Sequence, residues 1–218
     1  RKGIINRIFS LFLKNKKLAL ISTFILLLLM PIAISGNRYT VHIAVLCCIY
    51  GMVALGLNFQ MGSTDMTNFA AAVFFGIGAY TTAILTMHFG MSAWIGLIMG
   101  TVVSVLFGLI IGAPTLGTKG YYLSLVTIAL QLIFSMMLVN IKYVGAANGM
   151  AGLPGFTLGS YHFNTAINLF GIKLPSQVSY LYLALVFLVI CTYIAMRINI
   201  SRMGLGLNVI AQDEIAAN

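Results

Sequence analysis

The sequence predicts an all-α, polytopic integral membrane protein with about six spanning helices, and three features of the chain predict it. Hydrophobic residues make up 61% of the 218 and charged residues 7%, too little polar surface to cover a water-soluble globule of this length. Crossing hydrocarbon takes about 20 apolar residues as a helix, and the runs 18–37, 39–64, 66–118, 120–141 and 174–196 carry no Lys, Arg, Asp or Glu. Within these runs the apolar residues are continuous rather than alternating, which argues against an outer-membrane barrel.

Residues 1–17 hold Arg1, Lys2, Arg7, Lys14, Lys16 and Lys17 on an amphipathic background, "NRIFSLFLKNKK". Such a segment suits the headgroup surface, where each basic residue is worth ~1 kcal/mol against anionic lipid. The spans are then expected at 18–36, 40–61, 66–88, 93–116, 120–141 and 178–198. The first is read as a retained helix, because no clear small-x-small cleavage site follows it. The third and fourth divide at "HFGMS", where Gly90 and Ser92 supply a turn. The connection 142–177, rich in Gly, Asn, Ser and Pro, is an outer loop, and 199–218 is an inner one. Lys119, Arg197 and Arg202 join the six N-terminal cations on the inside, against Arg38, Lys142 and Lys173 outside. This asymmetry puts the N-terminus in the cytoplasm. A nucleic-acid site needs its charges on one folded face with interleaved aromatics, and these charges follow the membrane topology instead.

The fourth span repeats small residues once per turn, at Gly96, Gly100, Ser104, Gly108 and Gly112. One small residue per turn lets a neighbouring backbone approach closely where lipid offers no hydrophobic drive. "LNFQMGSTDMTN" interrupts the apolar pattern with Asn58, Gln60, Ser63, Thr64, Asp65, Thr67 and Asn68. Ser63, Thr64 or Asp65 is the expected N-cap of the third span. A helix end facing a cavity also suits a polar substrate, so Asn58, Gln60, Thr64, Asp65 and Asn68 are candidates for a translocation path. In the fifth span Ser124, Thr127 and Gln131 fall at i, i+3 and i+7 on one face, which adds Thr127 and Gln131 to that path.

No catalytic or metal set emerges. His42, His88 and His162 are far apart and read as interfacial, and Cys47, Cys48 and Cys191 read as buried apolar side chains. Asp65 is the only acid besides Asp213 and Glu214, and neither H-E-x-x-H nor a P-loop occurs. The chain is therefore expected to bind no cofactor and to hydrolyse no nucleotide itself.

Four stretches in order, "ALGLNFQMGSTDMTNFAAAVFFGIGAYTTAIL", "GTKGYYLSLVTIAL", "GAANGMAGLP" and "SRMGLGLNVIAQDEIAA", resemble the permeases of branched-chain amino acid ABC importers, the M-type member of the permease pair most of all. The resemblance implies a bacterial or archaeal cytoplasmic membrane and transport of branched-chain amino acids, or of another amino acid, an amide or urea. It implies partners: ATPase subunits that bind ATP and Mg, a second permease subunit, and an extracytoplasmic binding protein. It places Gly204, Asp213, Glu214, Ala216 and Ala217 in a cytoplasmic loop that couples to the ATPase, and it implies that the chain is truncated after that loop. The sequence departs from the family pattern at Asp65, Met66, Asn68, Ala70 and Ala71, and again at Tyr121, Gln131 and Leu132. The competing reading is an ATP-independent channel or solute pore.

The charge asymmetry makes a direct prediction. In intact cells an impermeant thiol reagent should label Ser160→Cys and leave Asn208→Cys unreacted; the reverse pattern inverts the topology.

Overall fold

The computed structural model describes residues 29–62, 68–115, 120–159, 161–165, 167–169, 172–202 and 204. Residues 29–33 are helical, and most of the first expected span lies outside the described residues. Helix α1, Arg38–Leu57, begins where Asn37 leaves the helical region and its Oδ1 accepts the Tyr39 N–H at 3.0 Å, a side-chain cap for an otherwise free amide. The helix widens into a π-helical turn at Asn58–Gly62.

Helix α2, Ala71–Met87, is 17 residues long and shorter than the expected 66–88. Its far end is closed by Gly90, whose φ of 62° is easy only for glycine, together with a 3.1 Å bond from the Met91 N–H to the Leu85 carbonyl. Together the left-handed glycine and this bond back to the last turn close the helix end. The Ser92 hydroxyl, 3.4 Å from the Trp94 N–H, then starts α3, Ala93–Thr115. Helix α4 is Gly120–Asn140 and α5 is Ser176–Ile200.

Between α4 and α5 the chain makes two 3-10 turns, Lys142–Val144 and Ala146–Asn148, with left-handed glycines at Gly145 and Gly149. Two antiparallel hairpins follow. Strand β1, Thr157–Leu158, pairs with β2, Tyr161–His162, and β3, Ile167–Leu169, pairs with β4, Ile172–Leu174. These strands were not expected from the sequence, since two or three residues are too short to show an alternating pattern.

Among the described residues, four helical stretches are long and apolar enough to cross a membrane: Arg38–Gly62, Ala93–Gly112, Tyr122–Asn140 and Ser176–Ile200, with α2 as a shorter apolar helix. The largest helix contacts are α2 with α3 and α1 with α5. The α1–α5 core holds Val41, Ala44, Cys48, Val178, Leu181, Ala184 and Leu185. Of the cysteines only Cys48 is buried; Cys47 is exposed and Cys191 half-buried. The expectation of three buried thiols is therefore corrected, because adjacent helical residues point about 100° apart and cannot both face one neighbour.

The α2–α3 pair is antiparallel and built on small residues. A Cβ on Gly100 would lie 2.7 Å from the Gly78 carbonyl oxygen, and one on Gly96 would lie 2.9 Å from Thr82 Cγ2. Farther along, the approach loosens: a Cβ on Gly108 would sit 3.5 Å from Phe74, and one on Gly112 would meet nothing within 4 Å. Hydroxyls reinforce the tight part. Ser104 Oγ donates to the Phe74 carbonyl at 3.1 Å, and Thr82 Oγ1 lies 2.9 Å from the carbonyls of both Gly78 and Gly96.

These distances rank the glycines. Gly100→Ala should lower thermal stability in detergent by about 1–3 kcal/mol, the usual cost of overpacking. Gly112→Ala should be neutral or stabilising by up to about 1 kcal/mol through helix propensity. Equal melting temperatures for the two variants would contradict the ranking.

Candidate functional site

The strongest polar interruption at membrane depth is the gap between α1 and α2, and α4 reaches into it. A spanning helix satisfies its own amides, but a chain that stops and restarts leaves the first N–H groups of the new helix without carbonyl partners. Two side chains satisfy the amides that lead into α2. Asn68, 6% exposed, accepts the Ala70 N–H on Oδ1 at 2.7 Å. Thr127 of α4, 3% exposed, accepts the Phe69 N–H on Oγ1 at 3.2 Å and donates its own proton to the Ser124 carbonyl at 3.0 Å. The threonine hydroxyl thus uses both of its capacities and pins α4 to the start of α2.

Ser63, Thr64 and Asp65, the expected caps, lie outside the described residues; Ala70 stands at the N-cap of α2 with no side-chain cap bond, and Asn68 closes a local turn leading into it. A second contact holds the same two helices: a Cβ on Gly76 would lie 2.6 Å from Phe134 Cε1. From Phe69 to Gly76 and from Thr127 to Phe134 the step is the same, seven residues, so α2 and α4 run parallel. Gln131 lies one turn beyond Thr127, and its Oε1 is enclosed with no hydrogen-bond partner. Buried amide oxygens are ordinarily paired, so this one is an acceptor held ready in an apolar setting.

Of the residues expected along a path, the structure brings Asn68 and Thr127 together around Phe69, with Gln131 following on α4. Asn58 and Gln60 are exposed on the π-helical turn, and Thr64 and Asp65 lie outside the described residues. Gly76 and Phe134 were missed in the sequence; a lone glycine in an apolar helix gives no sign of which ring it accommodates.

At the end of α5, Ser201 turns the chain, accepting no further helical geometry, and both its N–H and its hydroxyl donate to the Ile198 carbonyl, at 3.0 and 2.6 Å. Gly204 is buried against this end, where a Cβ would lie 2.5 Å from the carbonyl oxygens of Ile198 and Asn199. Asp213, Glu214, Ala216 and Ala217 lie outside the described residues.

A family described as "Branched-chain amino acid transport system / permease component" matches residues 39–218, which takes in α1 from its second residue, α2 to α5, the break and the turn at Gly204. The chain belongs to this permease family. It is 32% identical over 215 residues to the high-affinity branched-chain amino acid transport system permease protein LivM of Escherichia coli strain K12, covering 93% of this chain and 50% of that protein. The LivM of Salmonella typhimurium is 31% identical with the same coverage. The chain therefore spans about half the length of the curated relatives it matches. No solved structure matches it. As a member of this permease family it is a multi-pass membrane protein.

The pin at Thr127 is testable in this permease. Thr127→Val keeps the shape and removes the acceptor for a buried amide, which costs about 1–3 kcal/mol. Thr127→Ser should keep the hydroxyl and most of the stability. Thermal unfolding of the two variants in detergent separates them, and equal losses would show that the methyl group matters and the hydrogen bond does not.

Proposed function

We propose that the chain forms part of the substrate path of an ABC importer for branched-chain amino acids, with other amino acids, amides and urea as the next candidate cargoes. Its membership in the permease family, together with a polar break at membrane depth, supports this reading. An amino acid crossing hydrocarbon carries two charged groups, and each needs polar partners that the apolar faces of these helices do not supply. Asn68, Thr127 and Gln131, with Asn58, Gln60, Thr64 and Asp65 from the neighbouring polar run, are the residues we assign to this path, Thr127 exchanging its present bonds for those to the substrate.

On this reading the N-terminus and residues 199–218 face the cytoplasm of a bacterial or archaeal cell, and 142–177 faces outward toward a substrate-binding protein. A second permease subunit completes the path. ATP and Mg act on two partner ATPases, which move the permease through the inner loop that starts at Gly204. There the acids Asp213 and Glu214 meet basic groups on the ATPase, while Ala216 and Ala217 let the segment seat closely. Gly204 suits the start of such a segment because the chain must double back over the α5 carbonyls, where a larger residue has no room.

The deciding experiment reconstitutes the full-length protein with its partners in vesicles and follows labelled leucine. ATP-dependent accumulation against a gradient is the expected result; ATP-independent equilibration would replace the importer with a channel. In the same assay Asp213→Lys with Glu214→Lys should abolish substrate-stimulated ATPase activity and uptake through like-charge repulsion at that contact, leaving thermal stability unchanged. Normal uptake by the double variant would remove the acids from the coupling surface.

A further inference from the structure

We propose that the turn from Phe156 to Asn164 is a clasp that ties one end of the α2–α3 pair to the same end of α5, and that it releases during transport. On one side, the Trp94 indole N–H at the start of α3 donates to the Thr157 carbonyl at 2.8 Å, and its ring meets Phe156 edge-on at 5.0 Å. On the other side, the Tyr180 hydroxyl near the start of α5 donates to Asn164 Oδ1 at 2.6 Å. The rings between are continuous: Phe156 lies 6.4 Å from Phe163 and 6.5 Å from Tyr180, and Phe163 lies 6.1 Å from Tyr180. The turn holds its own shape through the Phe163 N–H to Phe156 carbonyl bond at 3.0 Å and a close approach at Gly155, where a Cβ would fall 2.7 Å from the Asn164 amide.

The design is that of a catch rather than a buttress. Strands of two residues are not stable alone, so this hairpin owes its conformation to the two helices it grips. If their spacing changes, it must lose one grip and with it much of its order. Both grips combine a directional hydrogen bond with ring edges, which weaken steeply over small displacements. The outer side chain of the tip, Leu158, is 62% exposed and adds no further attachment to either helix pair. Each helix pair has a seam of its own, α1–α5 through Ala44 and Cys48 and α2–α3 through Gly78 and Gly100. The pairs are thus built to move as units, and the clasp bridges them at one end.

The test uses the full-length protein in nanodiscs, with Cys47, Cys48 and Cys191 replaced by alanine and spin labels at Met91→Cys and Leu158→Cys. Pulsed electron–electron distance measurement should give one narrow distribution in the parent. Trp94→Phe with Tyr180→Phe should broaden it and shift it to longer distances, and Asn164→Ala, which cuts the grip on α5 and keeps that on Trp94, should broaden it through the lost order of the turn. Distributions unchanged in both variants would overturn the clasp. The release step rests on the transport reading and has its own arm. Joining Trp94→Cys to Thr157→Cys with a reducible bifunctional thiol reagent should stop leucine uptake by the reconstituted system and restore it on reduction; undiminished uptake by the joined protein would make the turn a fixed strut. The distance measurement needs no transport at all, so failure of the importer reading leaves the clasp separately decided.

Discussion

Hydrocarbon gives a polypeptide no water with which to satisfy its amides, and this one constraint sets most of what the structure does. Along α1, α3, α4 and α5 the constraint is met by uninterrupted helical bonding. Between α1 and α2 it is not, because the chain leaves one helix and restarts another. The Phe69 and Ala70 amides are met instead by Thr127 and Asn68. The hydrogen bond from Phe69 to Thr127 is therefore more than a local repair. It fixes where α4 stands relative to α2, and the parallel run of the two helices past Gly76 and Phe134 follows from it.

The same absence of water explains the α2–α3 seam. In water two apolar helices are driven together by burial alone, whereas in lipid a leucine is as well solvated outside the protein as inside it. Association must come from close packing and hydrogen bonds. Gly78, Gly96 and Gly100 bring two backbones near enough that the hydroxyls of Thr82 and Ser104 reach carbonyls within or across the pair. It also explains why so much of α4 is bare: Leu132, Ile133 and Met136 are each more than half exposed, at no penalty where the surrounding medium is acyl chain.

The ends of the helices obey different chemistry from their middles. Trp94, His88, Tyr143 and Tyr180 gather at one end, where His88 stacks on Tyr143 at 4.4 Å and the aromatic hairpin sits. Arg197 reaches Tyr193 near the opposite end of α5, its Nε donating to the hydroxyl at 3.2 Å. Amphipathic rings and snorkelling cations belong at the two membrane boundaries. The described residues thus divide into apolar helical middles and interfacial rims, with a polar break between α1 and α2.

The sequence by itself determined the class and four of the expected spans, since these depend on composition and on lengths of apolar run that hydrocarbon thickness dictates, and its ordered motifs carried the family. It placed the turn at 88–92, because Gly90 and Ser92 carry their conformational roles in their own side chains or lack of them. It singled out the polar run 58–68 and the stripe of Ser124, Thr127 and Gln131, because polar residues in apolar surroundings stand out without any knowledge of their partners. Partnership was decided only by the tertiary structure. Thr127 and Phe69 are 58 residues apart, and nothing local says that they meet. The glycine repeat of α3 is uniform in sequence, yet only the crossing of α2 decides that Gly100 is tight and Gly112 open. That the amides leading into α2 are met by Asn68 and by Thr127 of α4 was likewise visible only in the folded chain. The clasp left no periodic signal, being four aromatic rings from three parts of the chain that only the folded helices bring within reach of one another.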